Sequence, residues 1–415
     1  MLKLRLIIMN FFQFYTWGCW LLTIGAYWFQ TKKWDPSDFG LVFATMGIAS
    51  LFMPTLMGIL ADKWINAEKL YSLLHFLGAL CLFYIPNVDN SKMFFFVMLL
   101  NSLFYMPTIS LAITICYDSL KSKGYDVIKD YPPIRVFGTI GFIIALWTIS
   151  LLKFETTYYQ FYIASASALF LSVYSLTLPK CLPKGKEKSN IIDALGLRAF
   201  TLFKNYKMAL FFIFSFLLGI SLQLTNAYGD TFIHDFSKIE EYKNAIAVKY
   251  PAIIMSISQI SETLFILTIP FFLKRFGIKN VMLISMIAWF LRFGLFAYAN
   301  PLDRLWMIIL SCIIYGMAFD FFNISGSLFV ETQVPPSIRA SSQGLFMLMT
   351  NGLGSLTGSL LSGIVIEKFF KIGNELLWQK IWTTFSIYSL IVAILFLILF
   401  KHKHDPKQFQ TSIIH

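Results

Sequence analysis

The chain is short of charge. Only 13% of its 415 residues are Asp, Glu, Lys or Arg, about half the ~25% of a soluble globular domain. That scarcity excludes a disordered chain and an ordinary water-soluble enzyme, both of which need charged surface. Cysteine is scarce as well, five in all, which excludes a disulfide scaffold. Cys19, Cys81, Cys116 and Cys312 fall in apolar runs and Cys181 in a basic stretch, and no two have metal-ligand spacing. No Gly-rich phosphate loop is present, so no ATP-driven step is expected within the chain. His75 stands alone on a helical run, and His234, His402, His404 and His415 are expected in loops or the tail. No catalytic arrangement, metal or cofactor follows from them, and the chain does not read as an enzyme.

What the chain has is apolar length. It is 57% hydrophobic with 44 Phe and 10 Trp, and its mean hydropathy is +0.67. A membrane span needs about 20 mostly apolar residues. Twelve stretches qualify: 6–29, 39–61, 70–86, 93–117, 134–152, 158–179, 206–229, 250–273, 280–299, 305–330, 339–366 and 376–400. The first is too long and too aromatic for a cleavable signal, and no small-residue cleavage site follows it. Internal Pro54, Pro107 and Pro270 are tolerable in helices packed among other helices.

The net charge of +12 then becomes a statement about topology rather than about nucleic acid. Assigned to alternate sides, the excess falls on one face. The largest share is Lys180, Lys184, Lys186, Lys188, Arg198, Lys204 and Lys207 against Glu187 and Asp193, a net +5; Lys274, Arg275 and Lys279 add +3. The opposite face sums to about zero, with 230–249 at net −1. Lys/Arg-rich short loops lie in the cytoplasm, so both termini are expected there. The stretch 180–205, with Pro183, Gly185 and Gly196, divides the spans six and six. The expected organisation is a six-helix bundle over 1–180, a basic linker over 181–205 with a short amphipathic helix near 190–203, a second bundle over 206–401, and a tail over 402–415. Two such halves are the architecture of a secondary transporter, with its site near the midplane between them.

Ionisable side chains inside spans are costly and mark function. Arg135, Glu262, Arg292 and Asp320 lie within or at the ends of spans. Arg135, Thr139 and Phe142 are spaced i, i+4, i+7 on one face; the alternative for Arg135 is a cation snorkelling to the interface. Gln223 and Asn226 in span 7 suit a neutral polar ligand, or helix-to-helix hydrogen bonding. Gln259 and Glu262 in span 8 repeat that spacing, with Glu262 near mid-membrane and open to pairing with Arg292 or Arg135. Tyr315, Phe319, Asp320 and Asn323 follow in span 10, where Tyr315 and Phe319 offer flat faces or plain packing. Arg292 reads as a structural salt bridge or snorkel. A buried carboxyl can load a proton on one side and lose it on the other, so Glu262 and Asp320 are candidates for proton coupling.

At these residues the chain resembles the bacterial nucleoside:proton symporters of the major facilitator superfamily, over nearly its whole length. The matching strings include Gln13-Phe-x-x-Trp17-Gly18-x-Trp20, Phe52-Met-Pro54-x-Leu-x-Gly58-Ile-x-Ala-Asp62-Lys63-Trp64, Pro132-Pro133-Ile-Arg135-x-x-Gly138-Thr139-Ile-Gly141-Phe142, Ser256-Ile-Ser-Gln259-Ile-Ser-Glu262 and Tyr315-Gly-x-Ala-Phe319-Asp320-Phe-Phe-Asn323. The superfamily's Gly and basic pair after the Asp62-Lys63 turn are replaced by Ile65, Asn66 and Ala67. The loops 230–249 and 367–380 also depart from the pattern, which touches gating.

The resemblance implies an all-α fold of 12 transmembrane helices in two bundles. It implies a nucleoside site built from Arg135, Thr139, Phe142, Gln223, Asn226, Gln259, Glu262, Tyr315, Phe319 and Asp320. The expected function is proton-coupled import of purine and pyrimidine nucleosides, uridine and adenosine among them, by alternating access. The chain would act as a monomer in the bacterial inner membrane, with protons and the lipid bilayer as its other partners and no nucleic acid. The alternatives are a proton-coupled sugar or oligosaccharide symporter and a narrow xanthosine-type carrier.

Overall fold

The computed structural model describes residues 1–183, 197–335 and 338–402. The fold is all-helical apart from a two-strand hairpin, and its helices follow the twelve apolar stretches. Helix α1 runs over Leu2–Gly18, loosens at 19–23, resumes at Ile24–Ala26 and ends as a π-helical Tyr27–Lys32. Then come α2 (Pro36–Lys63), α3 (Ala67–Tyr84), α4 (Ser91–Ser122), α5 (Val127–Leu151) and α6 (Tyr159–Ser175). The second half repeats the count. Helix α7 comprises Tyr206–Leu222 and Leu224–Asp235, broken at Gln223. Residues 251–276 form α8 and 278–298 form α9; the backbone passes between them through Gly277 alone, at φ +76°, a conformation only glycine adopts freely. Helix α10 is Leu305–Gln333. Helix α11 runs Arg339–Met347, a π-helical Leu348–Gly354, then Ser355–Phe369; α12 is Trp378–Leu399. Between α11 and α12, Lys371–Ile372 (β1) pairs antiparallel with Glu375–Leu376 (β2).

Among the described residues, eight helices are long and apolar enough to cross a membrane. The remaining spans are legible from the same geometry: α8 and α9 run together through Gly277, α1 and α11 are interrupted, and α6 is only 17 residues long. Helix α5 begins at Val127, so Pro132 and Pro133 lie inside it rather than at its start. Helix α7 continues to Asp235, six residues beyond the apolar stretch, so His234 is helical and not in a loop. Of the expected amphipathic helix, 190–196 lies outside the described residues and Leu197–Lys204 is a 3-10 helix. The expected tail lies outside the described residues beyond His402.

Each bundle is tied by buried side-chain hydrogen bonds, which hold helices together where lipid supplies no hydrophobic drive. In the first, Gln13 Nε2 donates to Thr108 Oγ1 at 2.8 Å, and Tyr71 OH donates to Gln13 Oε1 at 2.6 Å. His75 Nε2 lies 2.9 Å from the same oxygen. In the second, Arg292 Nη1 donates to the Ser311 carbonyl at 2.7 Å, and Tyr388 OH to the Leu217 carbonyl at 2.7 Å. Leu73, Phe76, Leu80 and Phe83 of α3 are exposed, as expected of a face that meets hydrocarbon.

The bundles touch chiefly at the end remote from the chain termini. There α2 meets α11: a Cβ on Gly40 would overlap the Ser359 carbonyl oxygen, and one on Gly47 would stand 3.1 Å from Leu356 Cβ. Trp147 Nε1 of α5 donates to Ser256 Oγ of α8 at 2.9 Å. Phe29 and Phe39 pack on Tyr228 with centroids 6.2 and 5.4 Å away. Ser37 N donates to Glu367 Oε2 at 2.9 Å, and Asp35 pairs with Lys371. At the other end the bundles part: a Cβ on Gly58 of α2 would meet nothing within 4 Å.

Candidate functional site

Where the two bundles face each other at mid-depth there is a cavity of about 270 Å³, near the lower edge of small-molecule sites, about 300 Å³. Its walls come from both halves. Helix α5 contributes Arg135, Thr139 and Phe142, and α1 contributes Phe14, Trp17 and Leu21. From the second half come Leu222, Gln223 and Asn226 of α7, Gln259 and Glu262 of α8, Tyr315 and Phe319 of α10, and Asn351 of α11. Nine of the ten residues singled out from the sequence therefore share one cavity. A larger cavity, about 450 Å³, opens between Phe232, Tyr298 and Trp378 at the remote end. It is walled by the second bundle alone and holds none of the ten, so the smaller one is the candidate.

Helix irregularity positions several of these groups. Gln223 is the break in α7, so its carboxamide faces the cavity from a discontinuity, and its Oε1 accepts from Asn226 Nδ2 at 3.1 Å. Asn351 sits in the π-helical stretch of α11. Such bulges recur at functional sites because they turn a side chain and free backbone groups.

The arrangement is part aromatic and part polar. Tyr315 and Phe319 stack with centroids 5.7 Å apart and planes at 15°, which makes a flat platform one helical turn long. Trp289 meets Tyr315 edge-on at 5.9 Å, and the Arg292 guanidinium lies 4.5 Å over the Tyr315 ring. On the opposite wall the Arg135 guanidinium lies 4.1 Å over the Phe14 ring, a cation–π contact that steadies it at the cavity. Arg135 is thus a wall residue and does not snorkel away.

Arg292 departs from expectation. It is buried and makes no ion pair among the described residues. It bonds to the Ser311 carbonyl and to Ser258 Oγ at 3.4 Å, so it braces α9 against α8 and α10 behind the platform. Asp320 also departs: it is buried but off the cavity wall. The reason is angular, since residue i+5 lies well round the helix from Tyr315, whereas Phe319 at i+4 shares its face.

Among the described residues, Gln259 Oε1, Trp17 Nε1 and Asp320 Oδ2 are buried here without a hydrogen-bond partner. Buried polar atoms are normally paired, so the cavity and its border are suited to a ligand rich in donors and acceptors. Phe14, Trp17 and Asn351 are wall residues that the sequence reading did not assign to the site. The two aromatics are indistinguishable from packing in a chain 18% aromatic, and a π-helical turn has no clear sequence signal.

The profile of the Nucleoside H+ symporter family matches residues 1–405. The chain belongs to that family. It is 51% identical over 406 residues to the nucleoside permease NupG of Escherichia coli (strain K12), covering 97% of each chain. It is 49% identical over 416 residues to the xanthosine permease of the same organism, covering 100% of this chain and 99% of that one. The crystal structure of the nucleoside transporter NupG superposes with a TM-score of 0.92 at 50% identity, covering 97% of this chain and all of the other. The POT family transporter PepTSo superposes with a TM-score of 0.71 at 13% identity, which extends the likeness in fold alone. The fold is thus that of the major facilitator superfamily, as the sequence implied.

Proposed function

We propose that the chain is a proton-coupled nucleoside importer of the bacterial inner membrane, binding its substrate in the central cavity. The observation that carries the assignment is a single cavity lined from both bundles, with a stacked aromatic platform against amide, hydroxyl, guanidinium and carboxylate groups. A nucleoside is a flat base joined to a polyhydroxylated ribose. Tyr315, Phe319 and Phe142 suit the base by their faces. Gln223, Asn226, Gln259, Glu262, Arg135 and Thr139 suit the hydroxyls and base edges. A substrate held by both halves is released when they rock apart on one side and together on the other, which is alternating access.

Glu262 on the wall and Asp320 just behind it are the groups that would carry the proton, while 1–180 and 206–401 would move as the two bundles. The one-sided basic excess supports cytoplasmic termini, and the open end of the seam would then face inward. We assign the working unit as a monomer, since both halves of the cavity come from one chain. Near-equal identity to a nucleoside permease and to a xanthosine permease keeps a narrow purine specialist as the second reading.

The test is uptake of labelled uridine into cells without other nucleoside carriers, competed by a panel of nucleosides, free bases, ribose and disaccharides, with and without a protonophore. Nucleosides should compete, ribose and disaccharides should not, and the protonophore should abolish accumulation. Absent uptake of every nucleoside, with the protein verified in the membrane, would sink the assignment. Uptake of xanthosine without uridine would select the narrow reading.

A further inference from the structure

A second set of ionisable groups lies at the remote end of the seam, far from the central carboxylates. Glu155, in the 152–158 connection between α5 and α6, is buried. Its own bundle holds it there: its carbonyl accepts from Gln160 Nε2 at 2.8 Å, and Gln160 Oε1 accepts from Thr23 Oγ1 at 2.8 Å. Its carboxylate, however, is inserted into the other bundle. Oε1 accepts from the backbone N–H of Ala252 in the first turn of α8 at 3.1 Å, and Oε2 lies 2.8 Å from His234 Nε2 of α7. One turn back, Asp230 Oδ2 is 3.8 Å from the same imidazole nitrogen. Asp230 is wholly buried, and among the described residues neither of its oxygens has a hydrogen-bond partner.

The charge count of this socket decides its behaviour. Two carboxylates and a neutral imidazole would leave two buried negative charges side by side, at a cost that far exceeds a surface pair. A proton on His234 makes the Glu155 contact charge-assisted and partly balances Asp230. The other facing charge is Asp235, on the same helix; it has its own partners, Lys238 Nζ at 3.0 Å and Trp378 Nε1 at 2.8 Å. From α8 the socket receives the Ala252 amide, and from α6 the neutral Gln160. When the seam opens at this end, Glu155 leaves with the first bundle and is hydrated. His234 then loses the carboxylate at 2.8 Å.

We propose that Glu155, Asp230 and His234 form a second proton site, separate from the central carboxylates, which takes up a proton as the remote seal closes and returns it to the same side as the seal opens. The docked carboxylate raises the socket's hold on a proton, and by reciprocity the proton strengthens the dock. Acid therefore favours the closed seal and alkali the open one. Because this proton never crosses the membrane, it adds nothing to the proton:nucleoside ratio. Its three residues make it a latch, and its role does not depend on which solute the central cavity takes.

The experiment is a distance measurement on the full chain in nanodiscs, with EDTA present, between spin labels at 87 and 241. These exposed positions lie on opposite bundles at the sealed end; the native cysteines are replaced. From pH 5.5 to 8.5 the wild-type latch should show a rising long-distance population. His234→Gln and Glu155→Gln, which keep size and polarity, should flatten that response. Asp230→Asn should keep it with its midpoint moved to lower pH, since one negative charge fewer faces the imidazolium. A wild-type response retained in His234→Gln, a midpoint moved upward in Asp230→Asn, or a response seen only without EDTA would each overturn the proposal. Circular dichroism of each variant separates misfolding from a lost latch. A proton:nucleoside ratio altered in His234→Gln would also contradict it, whereas a failure of nucleoside uptake would bear only on the central site.

Discussion

The two ends of the seam between the bundles are built differently. At the remote end, glycines bring backbones into contact: Gly40 lies against Ser359 and Gly363, and Gly25 against Thr231 and Ala227. Around them sit an aromatic plug on Tyr228, ionic contacts from Glu155 and Asp35, and a backbone hydrogen bond to Glu367. At the terminal end the same helices diverge. Gly58 has no neighbour within 4 Å, Leu56 of α2 is exposed, and Leu264, Leu267 and Phe271 of α8 are exposed. One helix, α2, thus carries a glycine whose added Cβ would overlap the facing backbone at one end and a glycine whose added Cβ would meet nothing at the other. The structure is one of two states that such a seam must visit, with the central cavity at the fulcrum.

The strongest way to break the comparison is at the tight end. Gly40→Leu places a branched side chain where even a Cβ overlaps the Ser359 carbonyl. Overpacking of this kind costs about 1–3 kcal/mol, and all of it falls on the closed seal. The equilibrium should move toward the opposite state by roughly 5- to 150-fold, the range of 1–3 kcal/mol. Uptake should fall by about the same 5- to 150-fold factor while membrane expression stays normal, and the labels at 87 and 241 should report a wide separation at every pH. Normal uptake would show that the contact is incidental.

The next effect leaves both ends intact and removes the drive between them. Glu262→Gln and Asp320→Asn should each lower proton-driven accumulation by about tenfold or more. Exchange of labelled for unlabelled nucleoside at equal pH should persist in at least one of them, since exchange needs alternation and not a proton gradient. Wild-type accumulation in both variants would remove the carboxylates from the mechanism.

How far the sequence carried this picture can be read residue by residue. Spans were legible because a bilayer imposes length and apolarity on every helix. The cavity wall was legible because polar residues inside spans are costly enough to need a reason; Gln259 and Glu262, Gln223 and Asn226, and Arg135 and Thr139 all met. The resemblance carries Asp320 into the site with Phe319, although a one-residue step turns the side chain to another face. Phe14 and Trp17 carried no distinguishing signal in so aromatic a chain. The fall in hydropathy after 229 predicts a loop at His234; the spacing of Asp230 and His234, i and i+4, is the available hint that the helix goes on. Glu155 gives no hint at all, because the partners of its carboxylate are 79 and 97 residues away in the chain.

The mildest substitution sharpens the comparison from the open end. Gly58→Ala adds one methyl where nothing stands within 4 Å, and within a helix Ala is favoured over Gly by about 0.5–1 kcal/mol. In the state described here the change is harmless or slightly stabilising. In the opposite state, α2 must approach its neighbours at this end, and a methyl is the smallest group that tests how closely. Uptake should change by less than about twofold, because a few tenths of a kcal/mol is well under the 1.4 kcal/mol of a tenfold effect. Gly58→Ala that reduced uptake as severely as Gly40→Leu would mean that the open end closes backbone on backbone. The two ends would then be equivalent gates seen at different moments, rather than one glycine-packed seal opposed by a looser one.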